Sequence, residues 1–145
     1  STQVGLKSNT GGGRTKAPNT PKLNQKDSIK LQTFDFGVHL RSIAGDPPAG
    51  MPNPHAHHIL FKKGLGQKQQ DLVIEGQALL KKYEIDPIFG SENLIWAPNR
   101  IKGQHDINAL QQVVDTLKMT DEMFGTRDEM VNALKQLGKT AAERR

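Results

Sequence analysis

Histidine is the side chain whose unperturbed pKa, about 6.5, lets it hold a metal in its neutral form and accept a proton near neutrality. Four of the five histidines in this 145-residue chain fall at His55, His57, His58 and His105, and only His39 lies elsewhere. A lone histidine is usually structural, and His55 is expected to be of that kind. His57 and His58 follow a proline-rich loop and lead into the apolar stretch Ile59-Leu60-Phe61. Neighbours on an extended strand point to opposite faces. Both cannot easily ligate one ion, but one can hold a metal while the other approaches a water molecule. His105 lies behind Gly103, just before the clearest helical pattern in the chain. Backbone N–H groups and the helix dipole favour an anion there, so the same corner can hold a metal ligand and receive a phosphate.

The elements that must position these residues can be read from hydrophobic periodicity. Phe34, Phe36, Val38 and Leu40 alternate with Asp35, Gly37, His39 and Arg41, a period of two that predicts a half-buried strand. Gly45, Pro47, Pro48, Gly50, Pro52 and Pro54 then impose an irregular loop. Residues 67–83 read as a helix with Leu72, Val73, Leu79, Leu80 and Tyr83 on one face and Gly76 as its weak point. Leu94-Ile95-Trp96-Ala97, closed by Pro98, predicts a second strand. Ile107, Leu110, Val113, Val114 and Leu117 mark a helix over 106–118. A last helix is expected from about Arg127 to Leu137, with Thr126 and Glu129 as its capping box and Gly138 where it should stop. Strands followed by helices make this an α+β chain.

The net charge of +5 is an amino-terminal property. Residues 1–30 hold six basic side chains against Asp27, whereas the remainder holds 14 basic and 14 acidic ones. With Gly11-Gly12-Gly13, Pro18, Pro21 and little apolar content, residues 1–32 are expected to be a flexible basic linker before one domain at 33–145. A chain opening on Ser1 is expected to be a processed product or an excised fragment. There is no cysteine, which excludes disulfides, thiolate ligands and thiol nucleophiles. No apolar run approaches the roughly 18 residues of a membrane span, so no membrane segment is expected. A zinc deaminase would need paired cysteines, and neither a Gly-x-Ser-x-Gly elbow nor a phosphate-binding Gly-Lys-Ser/Thr loop is present.

Ala56-His57-His58-Ile59 resembles the Ala-His-His (AHH) signature of one branch of the His-Asn-His (HNH) and endonuclease VII superfamily, the ββα-metal nucleases. Glu84-Ile85-Asp86-Pro87, Asn93-Leu94-Ile95-Trp96-Ala97-Pro98-Asn99 and Gly103-Gln104-His105 resemble the rest of that branch's pattern, so the likeness covers about residues 55–117. It implies a ββα-metal core with an inserted helix and carboxy-terminal helices. It also implies His57 as a metal ligand, His58 as general base and His105 as the second ligand. Asn93 matches the position that holds the site loop in many relatives and is a candidate catalytic residue. Asn99, nearer His105, is a candidate metal ligand or brace for the base. Some members carry a further histidine four residues into the helix, where this chain has Ala109.

Such a set hydrolyses phosphodiesters: a divalent metal polarises the phosphate and a base activates water. Magnesium is the first expectation, with zinc, manganese or nickel as alternatives. Lys62, Lys63, Lys68, Arg100 and Lys102 flank the site in sequence and are candidates for gripping a nucleic-acid backbone. Members of this branch are toxin domains at the carboxy termini of exported bacterial polymorphic toxins. The resemblance thus implies a secreted toxin acting in the target cell's cytoplasm on DNA, neutralised at home by a cognate acidic immunity protein. The alternatives are a ribonuclease, or a zinc-stabilised nucleic-acid-binding module without catalysis.

Overall fold

A computed structural model describes residues 33–145. Asp35–Arg145 form one compact unit. The flexible linker expected over residues 1–32 lies outside the described residues. In chain order the elements are helix α1 (Phe36–Ala44), strand β1 (Pro54–His58), helix α2 (Gly66–Lys82), a 3₁₀ turn (Ser91–Asn93), strand β2 (Leu94–Pro98), helix α3 (Ile107–Met123) and helix α4 (Arg127–Glu143). The architecture is α+β. Among the described residues no helix is long and apolar enough to cross a membrane.

The two strands pair antiparallel, with His55 opposite Ala97, Ala56 opposite Trp96, His57 opposite Ile95 and His58 opposite Leu94. Alternation divides this small sheet into two faces. Leu94 and Trp96 pack with Phe36 and Leu40 of α1, and Ala56 joins that cluster. Ile95, on the other face, meets the main core, which Ile59, Leu60 and Phe61 share with residues of α2, α3 and α4. It is α4, not the helix that follows β2, that lies along β2, while α3 is held between α2 and α4.

The strand expected around residues 34–41 is instead helix α1. Asp35 caps it, its carboxylate accepting from the Val38 N–H at 3.0 Å, and Gly45, with φ of 82°, terminates it through an N–H to Arg41 O. The alternating apolar residues contained an i, i+4 pair, Phe36 and Leu40, which is buried, whereas Val38 is 59% exposed. A local cap decided between two periods that the pattern fits equally.

Two glycines act by size, not flexibility. Gly138 does not end the last helix, which continues to Glu143. A Cβ there would lie 3.0 Å from Ile59 Cδ1 and 3.2 Å from Ile95 Cδ1, so its absence lets α4 approach the sheet. Gly76, expected to weaken α2, is buried where a Cβ would lie 2.6 Å from Cδ1 of the fully buried Leu60. Alanine at 76 would gain about 1 kcal/mol of helix propensity but overpack that contact, at about 1–3 kcal/mol. Gly76→Ala is therefore expected to lower the denaturant midpoint despite its better intrinsic helicity; a higher midpoint would show that Leu60 can move aside.

Candidate metal centre

Strand β1 carries His55 and His57 on one face and His58 on the other. The loop after β2 brings His105 to the first pair, with ring centroids 5.8 Å from His55 and 5.1 Å from His57, and 5.6 Å between His55 and His57. One ring nitrogen from each lies within 4.8 Å of the others, so His55, His57 and His105 form a cluster that could hold a metal ion. Imidazole ligands around a tetrahedral ion at about 2.0–2.1 Å stand a little over 3 Å apart, so modest closure would complete the set. His55 Nε2 and His57 Nδ1 are buried without a hydrogen-bond partner. Buried polar nitrogens rarely go unpaired in folded proteins, and an ion held through these two atoms would satisfy both.

Burial sets the protonation of these rings. It lowers the His57 pKa to about 3, helped by its imidazole neighbours His105, His55 and His58 and by Arg144. Burial also lowers the pKa values of His55 and His105, with His105 and Lys62 contributing at the former and Arg144 at the latter. All three are neutral at pH 7, the form that ligates metals.

His58 occupies a different environment. Its ring meets Phe36 edge-on at 4.7 Å. Its Nε2–H donates to Ile88 O at 2.9 Å, which fixes the tautomer and leaves Nδ1 with the lone pair. Burial lowers its pKa to about 4, against the upward pull of the Ile88 carbonyl. His58 nevertheless shares a cavity of about 340 Å³ with His55 and His105.

These depressed values couple pH to folding of the metal-free protein. Below about pH 6.5 the unfolded chain binds protons at these histidines while the folded rings stay neutral, so stability falls as pH drops. The loss begins near 6.5 and grows until the folded rings titrate, near 4 for His58 and 3 for His57, at about 1.4 kcal/mol per unit of depression. Urea titrations with a chelator at pH 7.5 and 4.5 are expected to give a clearly lower midpoint at the acidic value. The His57→Phe variant, which removes the most depressed group, should lose less between the two. Equal midpoints for the parent protein would contradict the burial of these rings.

Asn93 is fully buried and works as a clamp. Its side chain accepts from Leu60 N and donates to Leu60 O and Pro87 O, at 2.8–3.0 Å, which ties the end of β1 to the approach to β2. It does not line the histidine cavity. The Asn99 side chain is held locally, its oxygen accepting from Arg100 N at 2.9 Å, while its backbone N–H donates to Asn53 O; it too is absent from the cavity wall. Lys62 and Lys63 line the cavity, whereas Lys68, Arg100 and Lys102 do not. The start of α3, expected to be open to an anion, is capped by Asp106, whose carboxylate accepts from Ala109 N at 2.8 Å.

Two residues gain roles that the sequence reading withheld. His55, expected to be structural, belongs to the cluster; its i, i+2 spacing to His57 on a strand was the available signal. Gln104 is 1% exposed, and its side-chain amide donates to Ala141 O at 2.9 Å and accepts from Arg144. It thereby anchors the loop carrying His105 to α4, and no local pattern distinguishes it from a surface glutamine. No protein-family model matches the chain, and no curated protein or solved structure matches it.

Proposed function

We propose that this chain is a metal-dependent phosphodiesterase acting on nucleic acid, with DNA as its first substrate. The observation that carries the reading is that His58, its Nε2–H committed to Ile88 O, shares a cavity with His55 and His105, two of the three imidazoles of the cluster. His55, His57 and His105 would hold the ion. Three imidazoles without a carboxylate suit zinc or nickel better than manganese or the magnesium expected from the resemblance. A bound ion would polarise the phosphate and stabilise the leaving oxygen. His58 Nδ1 would take a proton from the attacking water, and the Nε2–H···O=C bond to Ile88 would steady the imidazolium that results. Asn93 would keep β1 and its following turn in place, and so keep His57 and His58 on opposite faces. The toxin role, the export route and the acidic immunity partner belong to the same proposal and rest on the AHH resemblance alone.

The competing reading, a zinc-stabilised binding module, would close its ion with four protein ligands. The described residues gather three, which leaves a coordination position open and favours catalysis. Plasmid DNA and total RNA are to be incubated with the protein across zinc, nickel, manganese and magnesium, with a chelator control. Metal-dependent loss of supercoiled plasmid into a spread of fragments is expected. Degraded RNA beside intact plasmid would make it a ribonuclease, and metal binding without cleavage of either would favour the module.

A further inference from the structure

We infer that the segment from Lys62 to Gln69 is a second subsite for a backbone phosphate, so that the substrate is a polynucleotide held beyond its scissile bond. The inference rests on the phosphodiesterase reading of the histidine cavity and specifies what that cavity selects. The loop is shaped by two glycines. A Cβ at Gly64 would lie 2.5 Å from the backbone of Gln69 and Gln70, so only glycine lets the loop fold back on the first turn of α2, and Gly66 holds φ of 80°. This fold sets Lys62, Lys63 and Gln69 along the wall of the cavity that contains His55, His58 and His105.

The wall is cationic and unmatched. No carboxylate lines the cavity. Lys82, Lys118 and Arg127 pair with Asp121, Glu75 and Glu92, but among the described residues neither Lys62 nor Lys63 has an acidic partner. Lys62 Nζ instead sits 5.0 Å above the Phe36 ring, against α1. Gln69 Oε1 accepts from Leu65 N at 2.9 Å, which leaves its Nε2 hydrogens as donors on the same wall. Two ammonium groups and an oriented amide are the chemistry of an oxyanion ligand. At about 340 Å³ the cavity falls in the range that encloses whole small ligands, about 300–1,000 Å³, more room than one phosphodiester group needs.

The test compares a fluorescent oligonucleotide, as DNA and as RNA of one sequence, with bis(p-nitrophenyl) phosphate, which has no flanking phosphate. All are assayed with the metal that best supports turnover. Lys63→Ala and Gln69→Ala are each expected to lower the ratio of kcat/KM for the cleaved oligonucleotide to that for the small diester by about tenfold, chiefly through KM. Lys63→Ala should also reduce the salt dependence of oligonucleotide binding by about one unit of log–log slope. Equal losses on both substrates, or an unchanged ratio, would overturn the subsite. Oligonucleotide binding measured by anisotropy without metal keeps this separate from the catalytic reading. If the parent protein cleaves nothing, weaker binding by both variants still supports the subsite, and unchanged binding rejects it.

Discussion

His58→Ala is expected to lower phosphodiester cleavage by about 10²–10⁴ at saturating metal while leaving metal affinity close to that of the parent protein. His58 lies on the opposite face of β1 from His55 and His57 and outside their cluster, so its removal takes no ligand from the ion. What it removes is the one imidazole of the cavity wall whose Nε2 is committed to a backbone carbonyl and whose Nδ1 lacks a hydrogen-bond partner among the described residues. Burial depresses its pKa to about 4, so at pH 7 the ring is free to accept a proton. An anionic phosphate in the cavity would raise that pKa toward the range where a general base works best. The ring also packs on Phe36, so alanine leaves a small void. His58→Gln fills more of that space without supplying a base of comparable strength, and it should be as inactive as alanine. A large loss of metal affinity in either variant would move His58 into the coordination sphere. Normal cleavage in both would remove it from the chemistry.

Much of this fold was legible because its longer segments obey one rule at a time. The helices after Gly66, Ile107 and Arg127 carry apolar stripes at helical spacing, and Thr126 starts the last of them as a capping residue should. The stretch 34–41 was not legible. Its four apolar residues satisfy period two and contain an i, i+4 pair, and the Asp35 cap resolves it as a helix. Gly76 and Gly138 were misread for a related reason: propensity describes an isolated helix, while these positions are set by Leu60, Ile59 and Ile95, distant in sequence.

At the site, the opposite orientation of His57 and His58 followed from strand geometry alone. The same argument carried two residues back from His57 places His55 beside it, and the structure puts it there. Asn93 and Asn99 could not be separated from sequence because both stand close to the second strand. Their side-chain hydrogen bonds separate them: those of Asn93 span from Pro87 to Leu60 and that of Asn99 stays within its own turn. Gln104 was invisible because its partners, Ala141 and Arg144, lie almost forty residues away.

The ligand set makes the second large prediction. His57→Ala should weaken metal binding by at least about 100-fold, since loss of even an outer-shell partner commonly costs about 10–100-fold and His57 is the most buried of the three rings, at 3% exposure. His105→Ala and His55→Ala should each weaken binding substantially. Cleavage by these two variants should recover in part as metal is raised, because the vacated position can be taken by water. His58→Ala should not recover in this way, which separates a lost ligand from a lost base. Asn99→Ala serves as the comparison: its side chain is engaged by Arg100 N and should leave affinity within about twofold, a margin well inside the ligand-loss range. Calorimetric titration of zinc and of manganese into metal-free protein reads all five variants. Parent-like affinity in His55→Ala would return that residue to a structural role and reduce the set to His57 and His105. A metal-binding defect in Asn99→Ala equal to that of His105→Ala would add an oxygen ligand and bring magnesium back into contention. Retention of metal by His57→Ala would place the ion elsewhere altogether, because His57 is the most buried ring of the cluster and carries one of its two buried nitrogens without a hydrogen-bond partner.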